Sequence, residues 1–179
     1  MKCDSKQLLL FAAANLLVTA LSREIGFSHA MGADIDYACG LYLAVLVCSG
    51  RACWWRWTAA AFAAEIAAEA LFQGDLQPTA LLHALAHVVG VLAAAWLIRR
   101  TRGFPYHFDT MSDVLALLAF AAVPGAVVTA GAELAIQAWH GRQVTGIAWV
   151  LAWEGHVLGM ILVARRYWSQ GKAAASGRA

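Results

Sequence analysis

The sequence predicts an all-α integral membrane protein, a six-transmembrane-helix bundle with both termini cytoplasmic. Three observations point there. Of the 179 residues, 61% are hydrophobic and only 13% charged, with a mean hydropathy of +0.63; a soluble domain has roughly 45–50% apolar and about 25% charged residues. The chain divides into six apolar stretches. Its lysines and arginines gather in every second segment flanking those stretches. This composition excludes a disordered chain, a disulfide scaffold and a nucleic-acid-binding domain. The length suits one domain, taken as residues 1–168 with a short disordered tail at 169–179.

The stretches are residues 7–22, 37–50, 54–72, 79–98, 111–137 and 146–166. A spanning helix needs roughly 17–25 residues, which the last four meet and the first two approach. All are expected to be helical, because a lone segment in lipid must satisfy its own backbone hydrogen bonds. The first stretch follows Lys2 and Lys6. With Val18-Thr19-Ala20 as a cleavage site it also fits a secretory signal, whose removal would leave five spans in the same orientation. The second ends before Arg51 and Arg56, and the third opens with Trp54, Trp55 and Trp57, amphipathic rings that settle at a membrane interface. The fourth is closed by Arg99, Arg100 and Arg102. Pro124 lies inside the fifth and is expected to kink it. The sixth carries Gly155-x-x-x-Gly159, a spacing that suits close helix packing, and ends at Arg165, Arg166 and Trp168.

If the N-terminus is cytoplasmic, 11 of the 13 basic residues fall inside and only Arg23 and Arg142 fall outside. Positive charge concentrates on the cytoplasmic side, so six spans in a bacterial inner membrane fit this split. Cys3, Cys39, Cys48 and Cys53 show no metal-ligand spacing and read as small buried hydrophobes.

Against so few charges, the ionisable residues inside the spans stand out. Glu65 and Glu69 lie in the third, His83 and His87 in the fourth, Glu133 near the end of the fifth, and Glu154 and His156 in the sixth. Intramembrane ionisable groups are costly and mark function by default. At 1.5 Å per residue most lie roughly 5–15 Å below the outer ends of their helices. They are therefore expected to form one polar pocket in the outer half of the bilayer, open to the periplasm, beneath loops carrying His29, Asp34, Asp36 and His140. Glu65 shares a face with Glu69 and His83 with His87, while Trp149, Trp153 and His156 form one stripe. Glu154 stands about 200° around the helix from His156, so one of the two is expected to pair elsewhere.

Three readings of the pocket remain open. His83 or His87 with His156 suits axial ligation of haem b, or a transition metal with Glu65, Glu69 and Glu154 as further ligands or neighbours. The carboxylates, with Glu133, Trp149 and Trp153, also suit a small polar or cationic ligand. Interhelical Glu–His hydrogen bonds that only glue the bundle are the third reading. No GxSxG, SxxK, P-loop or GxGxxG is present, and no enzyme is expected beyond a membrane redox role if haem is bound.

The order of features resembles the bacterial membrane-associated sensor (MASE) domains fused to histidine kinases and diguanylate cyclases. The resemblance rests on Gly40-Leu-Tyr-Leu-Ala-Val-Leu-Val, Val91-Leu-Ala-Ala-Ala-Trp-Leu-Ile-Arg-Arg100, Phe108-Asp-Thr-Met-Ser-Asp-Val-Leu-Ala-Leu-Leu118 and Trp149-x-x-x-Trp153-x-Gly155-x-x-x-Gly159. Together these cover about residues 35–165. The family commonly has an acidic residue where His156 stands and an amide near His87, so the histidines belong to this chain rather than to the resemblance. It implies a sensory module that signals to a cytoplasmic or membrane partner, with homo-oligomers allowed. Size and helix count are also similar to the substrate-binding (S) components of energy-coupling vitamin transporters, which implies capture of a solute instead.

Overall fold

A computed structural model describes residues 4–25, 36–73, 78–103, 110–141 and 143–176. Among these the chain is almost entirely helical and has no strand, with six helices: α1 (Ser5–Ile25), α2 (Tyr37–Cys48), α3 (Trp54–Gln73), α4 (Pro78–Arg102), α5 (Met111–Trp139) and α6 (Gly146–Ser176). A 3₁₀ turn, Arg51–Cys53, leads into α3. Each helix matches one apolar stretch to within a few residues, apart from the far end of α6. By length and apolarity α1, α4 and α5 can each cross a membrane, while α2 and the Gly146–Leu162 part of α6 are shorter apolar helices.

Local chemistry sets the boundaries. The Asp36 carboxylate caps α2 by accepting from the Cys39 backbone N–H at 3.1 Å. Thr110 and Asp113 close a reciprocal capping box at the start of α5, a device worth about 1 kcal/mol per cap. Pro124 has no N–H to donate, and the ladder just before it widens into a π turn, Leu118–Ala122, within α5. α6 runs on to Ser176, into the segment expected to be disordered; Ala173, Ala174 and Ala175 are strong helix formers.

α2 is the middle of the bundle. It packs along α6 and also touches α1, α3 and α4. Nearly every residue from Ala38 to Val47 is buried, including Tyr42, Leu43 and Leu46, as expected of a helix that is apolar all round. The Tyr42 hydroxyl lies 2.6 Å from the Thr58 hydroxyl on α3, and Phe11 of α1 meets the Trp57 ring edge-to-face at 5.3 Å. Trp57 is thus a core residue and not the interfacial ring the sequence suggested. Small residues bring α4 and α5 together: a Cβ on Gly90 would collide with the Thr129 hydroxyl, and one on Gly125 would come within 2.8 Å of the Ala94 Cβ.

One end of the bundle is basic. The buried Arg99 donates from Nη2 to the Ser49 carbonyl at 2.8 Å, just past the C-terminus of α2, and lies over the Trp54 ring at 5.2 Å. Trp54 Nε1 in turn donates to the Leu46 carbonyl. A cation suits a helix C-terminus, where unpaired carbonyls concentrate negative potential. Arg56 over Trp55 and Arg100 over Trp96 make similar stacks in exposed positions.

Candidate functional site

The other end of α2 meets a cluster of three carboxylates and two imidazoles drawn from five helices. Asp36 caps α2, Glu65 comes from the second half of α3, His87 from the first half of α4, Glu133 from the last third of α5 and His156 from α6. The Asp36 backbone N–H donates to the Gly155 carbonyl at 3.3 Å. A Cβ on Gly159 would collide with the Asp36 carbonyl. The Gly155-x-x-x-Gly159 face is therefore the seat that admits the start of α2, as its spacing suggested.

The rings and carboxylates alternate. His87 Nε2 lies 2.5 Å from Glu133 Oε1, and His156 Nε2 lies 3.1 Å from Glu133 Oε2. On the opposite ring edges, His156 Nδ1 is 3.0 Å from Asp36 Oδ2, and His87 Nδ1 is 3.7 Å from the same oxygen and 3.4 Å from Glu65 Oε2. The two rings stand edge to face, 5.2 Å between centroids. Glu65 and His156 are buried, and Asp36, His87 and Glu133 nearly so. Two sets of potential metal donors occur here, His87–Glu133–His156 and Asp36–Cys39–His156, each with its atoms within 4.8 Å of one another.

Charge and hydrogen count constrain this arrangement. All four ring nitrogens face carboxylate oxygens. A neutral imidazole carries a single N–H, so it leaves one lone pair against an acceptor. A second proton on each ring, or a cation between nitrogen and oxygen, relieves that repulsion. With both rings protonated the cluster has two positive and three negative charges. That balance is far cheaper in a low-dielectric interior than any one of these charges alone.

Of the residues the sequence singled out, Glu65, His87, Glu133 and His156 come together. His83 and Glu69 stand one turn away and line, with Asp36, Glu65, His87 and Thr19, a cavity of about 40 Å³ beside the cluster. Glu154 is exposed on another face of α6, as its angle from His156 required. Trp149 and Trp153 stack on each other, 8° between planes. Trp153 packs against the core and Trp149 is exposed, and neither lines that cavity. His140 is exposed at the end of α5, and His29 and Asp34 lie outside the described residues.

Asp36 is the correction. It was expected in a loop above the pocket, yet it is part of the cluster. α2 has only 12 residues, about 18 Å at 1.5 Å each, so a helix this short starts below the level its neighbours reach. The signal was present: an aspartate directly ahead of an apolar run is a strong N-cap, and the cap of a short buried helix is itself buried.

A helical bundle with apolar helices and a buried polar cluster defines the class, a membrane-type helical domain with an internal polar cluster. The family model for MASE1 matches residues 6–165, nearly the whole chain, and the chain belongs to this family of membrane-associated sensor domains. No curated protein and no solved structure matches it.

Proposed function

We propose that this chain is the input module of a bacterial inner-membrane signalling system and that the Asp36–Glu65–His87–Glu133–His156 cluster is its input site. In this reading the chain crosses the bilayer six times, with the short α2 enclosed by its neighbours, both termini are cytoplasmic, and the cluster lies in the outer half of the bilayer with its cavity toward the periplasm. The basic end, with Arg51, Arg56, Arg99, Arg100 and Arg102, then faces the cytoplasm, in keeping with the usual excess of positive charge there. A positively charged or histidine-ligated group at the cluster, a transition metal or a small cationic ligand, is the signal.

The single observation that carries this reading is the position of α2 between two anchors. Asp36 ties its outer end to His156 at 3.0 Å, and Arg99 holds the carbonyl just past its inner end at 2.8 Å. A group that binds differently to two positions of Asp36 biases α2 between them, and α2 carries that bias to α3 and α4 at the basic end. A signalling partner reads it there.

Cross-linking in native membranes from cysteines introduced at the basic end, with mass spectrometry of the adducts, tests the output. A histidine kinase or diguanylate cyclase is the expected partner. The ATPase pair of an energy-coupling transporter would overturn sensing in favour of solute capture.

A further inference from the structure

We infer that His87, Glu133 and His156 form a binding site for a divalent transition-metal ion of the zinc class, with Asp36 and Glu65 holding the two imidazoles from behind. This deepens the reading of the cluster as input site and rests on it.

The directions of the four ring nitrogens carry this inference. Both Nε2 atoms converge on the two oxygens of one carboxylate, Glu133. Both Nδ1 atoms turn the other way, toward Asp36, with Glu65 also facing His87. Metal-binding histidines have this two-layer arrangement: one nitrogen takes the ion, and the other donates its N–H to a carboxylate that fixes the ring and its tautomer. A bundle held merely by hydrogen bonds has no need for both rings to face the same way. Two imidazoles and one carboxylate form a donor set with open positions. Nitrogen donors select zinc, nickel, copper or iron over magnesium and calcium.

Charge supports the same ion. A divalent cation replaces the two Nε2 protons of the imidazolium pair, so the cluster keeps its net charge when the ion enters. The rings keep their Nδ1 protons, directed at Asp36 and Glu65. Glu69 and His83 line a neighbouring cavity that reaches His87, Asp36 and Glu65 but not Glu133 or His156. That cavity of about 40 Å³ has room for water beside the Nδ1 edge of His87. It does not suit a macrocycle, and Glu133 already occupies both Nε2 directions where a haem plane would have to lie.

The purified full chain in detergent, stripped with a chelator and titrated with zinc sulfate, tests this. Elemental analysis after desalting is expected to give one zinc per chain, with about two protons released per ion in weak buffer. H156A and E133Q should abolish stoichiometric zinc, E154Q should retain it, and D36N should weaken affinity roughly 10–100-fold without abolishing it. Circular dichroism confirms that each variant keeps its helices, and H156C, which supplies another zinc ligand, is expected to restore binding if H156A proves unstable. Absence of stoichiometric zinc in the folded wild type, or equal zinc in wild type, H156A and E133Q, would overturn the metal site. The partner cross-link would be unaffected by that failure, so a sensor with a different ligand would remain distinguishable from no sensor.

Discussion

His87 and His156 present their Nε2 atoms to the two oxygens of a single carboxylate, Glu133, at 2.5 and 3.1 Å. This relationship joins α4, α5 and α6, and Asp36 adds α2 from the far side of the same rings. The cluster is thus a structural junction as well as the proposed binding site, and its variants should report on both roles.

Removing one member of such a junction strands the others. Truncation of a partner in a buried charged network typically costs about 3–5 kcal/mol, whereas an exposed substitution stays within about 0.5 kcal/mol. E133A is therefore expected to lower the thermal midpoint in detergent strongly, and E154A hardly at all. Equal midpoints for the two variants would mean that Glu133 holds no junction together.

The seat of α2 gives a steric test. A methyl group at Gly159 meets the Asp36 carbonyl, whereas one at Gly131 meets nothing within 4 Å. G159A is expected to cost about 1–3 kcal/mol through overpacking and to weaken zinc binding by displacing Asp36. G131A should be neutral or stabilise by up to roughly 1 kcal/mol, as alanine does in a helix interior. Thermal melts and zinc titrations of the pair read both effects.

Arg99 is the matching test at the other end. R99K keeps a charge but loses the planar group that stacks on Trp54 while donating to Ser49. Both R99K and R99A are expected to loosen the end of α2 and speed alkylation of Cys48, with R99A the faster. An unchanged labelling rate in R99A would show that the arginine does not hold this end closed.

Zinc binding should depend on pH with a definite sign. Protons and the metal compete for Nε2 of His87 and His156, in a site faced also by Asp36, Glu65 and Glu133, with Cys39, Tyr42, Glu69 and His83 nearby. Affinity is expected to fall as pH drops and, because the ion displaces two protons from the rings, the fall should already be present at neutral pH. Isothermal titration in buffers of different ionisation enthalpy measures both affinity and proton release; affinity independent of pH would argue against imidazole ligands.

Much of this was legible in the sequence, for physical reasons. Helix positions followed from apolar length, because a helix in lipid must be continuous and apolar, and the starts of α2 through α6 agree to within one residue. Glu65, His87, Glu133 and His156 were legible because ionisable residues are rare in apolar helices. Depth told less. Glu69, His83 and Glu154 lie at similar levels, yet rotation about the helix axis decides which side chains converge, and hydropathy carries no tertiary rotation. Asp36 was hidden because its loop-like neighbours suggested a surface position, while its capping bond places it below the surface. Trp57 was hidden because a tryptophan beside arginines suits an interface as well as a core.

The most direct test of the account is hydrogen–deuterium exchange along α2 in the full chain, comparing wild type with D36N. If the cluster is an input coupled to the basic end, D36N changes protection not only around residues 36–40 but also at residues 46–54, about 18 Å away along the helix at 1.5 Å per residue. A change confined to residues near Asp36, with the Arg99 end protected as in wild type, would contradict the coupling on which the sensory reading depends.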